Sequence, residues 1–225
     1  MAVLTIVLAD AEVELAPAEI AGHPAVKATA RAQERKPGEV LLDQNAHGAA
    51  TARLVDGKRR GRPDIVHYCL LTILESPLCK ADRVRVAIHT RHGELIRIKP
   101  DTRLPRGEAR FQGLIARVLR EGRSQDKEPL LWSDGKRSPA QVLEAMAVGP
   151  VLRLDEGGKA CSPADLAGLA KAGDLTVVLG AFPSGAFSAP WLAAAPEAVS
   201  LWPQALNAWA IAAEVVAGHR AKWGP

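Results

Sequence analysis

Short apolar runs rich in Val, Ile and Leu recur along this chain, at Leu4-Leu8, Val40-Leu42, Val84-Ile88, Leu130-Trp132, Val151-Leu154, Leu175-Leu179 and Ala198-Leu201. Runs this short lack polar alternation because both faces are covered, as in parallel strands buried between helices. Helical patterns lie between most of them. The expected fold class is therefore α/β, a mainly parallel sheet flanked by helices. One exception is RVRVAIHTRHGELIRIK, where Arg83, Arg85 and His89 alternate with apolar residues before RHG reverses the chain. It predicts a small antiparallel β-hairpin insertion over 83–99, with one face basic and exposed. The chain has 225 residues, no internal repeat and no dividing linker, so a single domain over 1–225 is expected. Leu119 to Pro129 is the most loop-like segment.

Composition excludes several classes. No apolar run approaches the roughly 18 residues of a membrane span. The start MAVLTIVLAD lacks the basic flank and cleavage site of a signal peptide. A cytoplasmic protein with no membrane partner is expected. Cys69, Cys79 and Cys161 show no CxxC spacing, which predicts small buried hydrophobes and no metal. Charge is uneven: Arg53 to Arg123 holds 17 Lys and Arg against 8 Asp and Glu, so this region is +9 in a chain of +4, leaving −5 elsewhere. Clustered cationic charge is the footprint of a nucleic-acid binder, or of a solvated surface.

The densest cluster is KRRGRPDIVHYCLL, Lys58 to Leu71. Pro63 and Asp64 suit a helix start, and Val66, Cys69, Leu70, Ile73 and Leu74 follow with helical spacing. Arg62 then sits at a helix N-terminus, oriented by Asp64. Alone, that pair fits a cap as well as an anion site. A second cluster, DTRLPRGEARF, places Arg103, Arg106 and Arg110 at spacings of three and four in a loop entering a helix that runs to about Arg120. His89 and His92 lack a third ligand and read as surface residues, His67 as structural or RNA-facing, and the C-terminal tryptophans as packing.

Toward the C-terminus, strand Leu175-Leu179 ends in Gly180-Ala181-Phe182-Pro183-Ser184-Gly185, where glycine permits close approach to a ligand at the sheet edge. Ala198-Leu201 leads through Trp202-Pro203-Gln204-Ala205 into an apolar helix, Ala205 to about Ala217, with Leu206, Trp209, Ala210 and Ala213 on one side. A G-x-G-x-x-G fingerprint is absent, which disfavours a dinucleotide site.

Read in order, LLDQNAHGAATARL, KRRGRPDIVHYCLLTILESPLCK, VAIHTRHGELIRIKPDTRLPRGEARFQGL, LGAFPSGAF and AVSLWPQALNAW resemble the small-subunit ribosomal RNA pseudouridine-N(1) methyltransferases of the SPOUT class, archaeal type. The resemblance covers nearly the whole chain. It implies an S-adenosylmethionine-dependent enzyme of ribosome biogenesis, a homodimer with a C-terminal trefoil knot. It divides the domain into a basic RNA-binding region, 53–123, and a knotted cofactor-binding region, 150–225. It assigns ribosomal RNA contacts to Arg62, Arg103, Arg106 and Arg110, with Asp64 holding Arg62. It assigns cofactor contacts to Leu154, Gly180, Gly185, Leu201, Trp202, Pro203, Gln204, Ala205 and Leu206. No proton acceptor is assigned. Ala181 and Ala186 depart from the family pattern, which expects a second glycine and an acidic residue there. Two alternatives stay open: a non-catalytic assembly factor that binds ribosomal RNA, and a ribose methyltransferase of the SPOUT class.

Overall fold

The computed structural model describes residues 2–224. In chain order the elements are β1 (Leu4–Ala11), α1 (Ala18–Ala21), α2 (Pro24–Ala32), α3 (Gln44–Thr51), α4 (Pro63–Leu74), α5 (Pro77–Lys80), β2 (Val84–Thr90), β3 (Glu94–Ile98), α6 (Glu108–Glu121), β4 (Leu131–Lys136), α7 (Pro139–Met146), β5 (Val151–Ala160), α8 (Pro163–Gly168), β6 (Leu175–Gly180), α9 (Ala189–Ala194), β7 (Ala198–Ser200) and α10 (Ala208–Trp223). One sheet runs β4-β3-β2-β1-β6-β5-β7. β2, β1, β6, β5 and β7 are mutually parallel, while β3 and β4 join antiparallel.

β1 lies in the middle and is buried throughout, so its alternate side chains feed both faces. Leu4, Ile6 and Leu8 point to a core shared with Ile65, Leu70 and Ile73 of α4, Phe111 and Ile115 of α6, Leu166 of α8 and Val215 of α10. Val7 and Ala9 point the other way, to Val142 and Met146 of α7 and Trp191 of α9. A satellite cluster of Ile20, Val26, Leu42 and Ala50 holds α1 to α3 together. The carboxyl ends of the parallel strands share one edge, where ligands collect in open α/β sheets.

Several sequence expectations are corrected. Val40-Leu42 is not a strand: Val40 and Leu42 fill the interior, and only Leu41 forms an isolated bridge, with Leu15. The hairpin exists, but its face is not uniformly basic and exposed. Arg85 is exposed, whereas Arg83 donates to the Ala2 and Gly224 carbonyls and Arg97 pairs with Asp134. His89 is buried, donating from Nε2 to the Arg137 carbonyl (2.9 Å) and accepting at Nδ1 from the Trp191 indole (3.0 Å). Burial lowers its pKa, which keeps the ring neutral. The loop-like stretch from Leu119 begins as the last turn of α6. Cys161 is only partly buried. Finally, α10 starts later and ends later than expected, and it buries Ala212, Val215, Val216 and His219, leaving Leu206 and Ala213 exposed.

Candidate active site

Two groups of residues meet at the carboxyl edge of the sheet. The first surrounds a cavity of about 440 Å³ where β6 and β7 end beside the middle of β5. Its wall is made by Leu154, Asp155 and Glu156 within β5, by Gly180 and Phe182 to Phe187 from the end of β6 onward, by Val199 to Trp202 and Gln204 to Leu206 from β7 onward, and by Ile211 of α10. The ladder between β5 and β7 skips from Leu154 to Lys159, both opposite Val199. Asp155 to Gly158 therefore bulge out of the ladder, and Asp155 and Glu156 come to line the cavity. Trp202 lines the cavity and is 55% exposed. Gly180 matters less for open space than for packing. A Cβ there would sit 2.7 Å from the Phe182 ring, so glycine lets Phe182 fold back over the strand end.

Of the residues assigned to the cofactor, Leu154, Gly180, Gly185, Leu201, Trp202, Gln204, Ala205 and Leu206 all line this cavity, while Pro203 does not. Asp155, Glu156, Phe182 and Ile211 line it without having been foreseen. The acids follow an apolar strand directly, a signal that was present but resembles any loop.

The second group is the arginine strap, residues 52–62, with α4 and α6 behind it. Four cations in sequence do not make four free cations. Arg59 Nε donates to Glu12 (2.7 Å), and Arg60 donates twice to Glu14 (2.7 and 2.5 Å). Both carboxylates are almost wholly buried. Burial alone would push the Glu14 acid up, but hydrogen bonds from Arg60 and His92, with their charges, hold it at about 2. His92 is therefore not a bare surface residue: its Nε2 lies 2.9 Å from Glu14. Arg62 caps α4 and makes two parallel hydrogen bonds to Asp64 (2.8 and 2.7 Å), which raise its pKa above the ordinary guanidinium value. The pair remains partly open to solvent.

Arg103, Arg106 and Arg110 are exposed, and none is in an ion pair with another described residue. His67 aims them: buried in α4, it donates from Nε2 to the Pro105 carbonyl (2.8 Å) and stacks on Phe111 at 4.2 Å. The loop Asp101 to Gly107 is thereby fastened beside the N-terminus of α4.

Backbone hydrogen bonds join the two groups. Ala181 N–H donates to Ala9, Glu12 N–H to Ala181, and Arg62 N–H to Glu12 (2.9, 3.2 and 2.9 Å). The cavity loop and the start of α4 are thus both bonded to the backbone of one residue, Glu12, in the chain leaving β1. This arrangement juxtaposes a mainly apolar ligand cavity and an oriented guanidinium.

Residues 6–219 match a family profile described as EMG1/NEP1 methyltransferase. The chain belongs to that family. Similar curated proteins include the ribosomal RNA small subunit methyltransferases Nep1 of Thermococcus onnurineus, 40% identical over 95% of this chain and 96% of that one, and of Methanothrix thermoacetophila, 35% identical over 96% and 95%. A crystal structure of Archaeoglobus fulgidus Nep1 bound to S-adenosylhomocysteine superimposes with a TM-score of 0.86 at 33% identity, covering 98% of each chain. The EMG1/NEP1 chain described here has the SPOUT methyltransferase fold of that family and is a methyltransferase.

Proposed function

We propose that this chain methylates N(1) of a pseudouridine in small-subunit ribosomal RNA with S-adenosylmethionine, as a step in small-subunit assembly. The observation that carries the reading is the shared residue Glu12, whose backbone N–H donates to the cavity loop and whose carbonyl accepts from Arg62. Curated relatives are named for ribosomal RNA small-subunit methylation, and one solved relative holds S-adenosylhomocysteine.

The residues present fit such a cofactor. A 440 Å³ cavity is within the usual range of roughly 300–1,000 Å³ for small-molecule sites. Its lining is mainly apolar, with backbone groups of the loops after β6 and β7 for an adenine edge and the acids Asp155 and Glu156 for hydroxyl or ammonium donors. S-adenosylmethionine supplies an electrophilic methyl group on a sulfonium. Leu154, Gly180, Gly185, Leu201, Trp202, Pro203, Gln204, Ala205 and Leu206 are the proposed cofactor residues.

In pseudouridine the sugar is attached through carbon, so N(1) carries a proton and is free to accept a methyl group. Loss of that proton builds negative charge in the ring, which the new bond from N(1) to the methyl carbon then discharges. Arg62, locked by Asp64, is the group placed to stabilise that charge, and Arg103, Arg106 and Arg110 hold the phosphates. Region 53–123 then faces RNA and region 150–225 the cofactor.

The knot of the family is proposed for the C-terminal segment, and a homodimer for the exposed apolar surface of Tyr68, Trp202 and Leu206 beside Trp209. Among the described residues no helix is long and apolar enough to cross a membrane; a cytoplasmic site of action accompanies the RNA substrate.

Calorimetric titration with S-adenosylhomocysteine tests the cofactor half. Binding is expected, and Trp202→Ala weakens it at least about tenfold. No binding to the intact protein would overturn the reading.

A further inference from the structure

Arg59, within the strap, faces the cavity loop and lines neither the cavity nor the exposed arginine surface. Its Nε is spent on buried Glu12, while its Nη1 donates to the Ala186 carbonyl at 2.8 Å and reaches the Ser184 carbonyl at 3.4 Å. Its guanidinium lies flat against Phe182, 3.9 Å from the ring centroid. Gly185, at φ +90°, leaves the space for it, since a Cβ there would come within 3.1 Å of Nη1. All these loop contacts fall on the irregular segment that walls the cavity, more than 120 residues away in sequence. A segment without ladder or helix bonds takes its shape from such contacts.

On the other side, Arg59 is three residues from Arg62, whose own N–H is bonded to Glu12. The Glu12 carboxylate is further held by Arg91 from the turn between β2 and β3 (2.6 Å). Glu12 therefore serves as the common anchor. Only a planar, multi-donor cation reaches anchor, carbonyl and ring together; a lysine offers one point of charge.

We propose that Arg59 is a positioning residue that sets the cavity loop from the RNA side, so that RNA on the strap and an S-adenosyl ligand in the cavity each tighten the other. This rests on the methyl-transfer reading above. RNA bound at Arg62 restrains the strap, the strap restrains Arg59, and Arg59 restrains Ser184 to Ala186 and Phe182. Such linkage is reciprocal between the two ligands.

The test is calorimetry on the intact protein with S-adenosylhomocysteine, alone and saturated with a pseudouridine-containing RNA hairpin, for wild type, Arg59→Lys and Arg59→Ala. Wild type should gain about fivefold or more in S-adenosylhomocysteine affinity when RNA is bound. Lysine can keep the pair with Glu12, so Arg59→Lys should retain the melting temperature yet lose about tenfold in S-adenosylhomocysteine affinity and all of the RNA-induced gain. A lower melting temperature with affinity and gain intact would make Arg59 a brace for Glu12 alone and overturn the proposal. So would a wild type that binds both ligands independently. A wild type that takes up no S-adenosylhomocysteine would overturn the methyl-transfer reading itself, and this one with it. Should Arg59→Ala fail to fold, the lysine variant decides.

Discussion

Glu14→Gln removes one charge from beneath the arginine strap and leaves the shape. Glu14 is 3% exposed, and its partner Arg60 is 9% exposed, joined by two short hydrogen bonds. The carboxyl falls from an ordinary 4.5 to about 2 in the folded chain. At about 1.4 kcal/mol per tenfold change in proton affinity, that is roughly 3 kcal/mol of stability. The same size, about 3–5 kcal/mol, is expected when a buried pair loses one partner and strands the other charge. In a domain of this length it corresponds to a fall in melting temperature of roughly 6–12 °C.

The pH dependence has a definite sign. Because the folded pKa is depressed, the contribution is complete above pH 4.5 and is lost as the pH falls through 2, below which folded and unfolded chains are both protonated. Urea denaturation of wild type and variant at pH 7 and pH 3 measures it. The gap between them should be about 3 kcal/mol at pH 7 and should shrink by more than half at pH 3. A gap below about 1 kcal/mol, or one that does not change with pH, would refute the claim that Glu14 is an ionised buried anchor of the strap.

His67→Ala unfastens the Asp101 to Gly107 loop and should weaken binding of an RNA hairpin about three- to tenfold in filter assays, leaving S-adenosylhomocysteine affinity unchanged; equal loss of both would show a general defect. Burial pushes the Cys69 thiol up to about 12 and the Cys79 thiol up to about 11. A thiol reagent should therefore modify Cys161 alone in the native protein and all three cysteines only in denaturant, and rapid native labelling of Cys69 would contradict this packing. Trp191→Phe leaves His89 Nδ1 without its buried donor and should cost about 1–3 kcal/mol in urea denaturation; a cost near zero would show that the indole bond is not stabilising.

The parallel strands were legible because strands buried on both faces write continuous apolar runs, as at Leu4 and Leu175. Val40-Leu42 obeys the same rule of burial without a ladder, and a three-residue run carries no information on whether a partner strand exists. The C-terminal helix is rich in alanine, whose small side chain fits either face, so its inward side was set by packing against α4 and α8 rather than by periodicity. The arginine clusters were visible as charge, and Arg62 with Asp64 could be read from two-residue spacing at a helix start. The fates of Arg59 and Arg60 could not, because their partners lie 47 and 46 residues away. The available sign was Glu12-Val13-Glu14 directly after a buried strand, two acids with no reason to be there unless cations cover them. The glycines after β6 pointed to a close approach, but it took the structure to show that Phe182 fills part of that space.

The most direct measurement of the central claim is transfer of labelled methyl from S-adenosylmethionine to paired RNA hairpins that differ only in uridine or pseudouridine at one loop position. Label in the pseudouridine hairpin alone, lost in Arg62→Ala, is the result this account predicts. Equal labelling of both hairpins would contradict it and point to the ribose, and tight RNA binding without any label would leave an RNA-binding assembly protein in place of an N(1) methyltransferase.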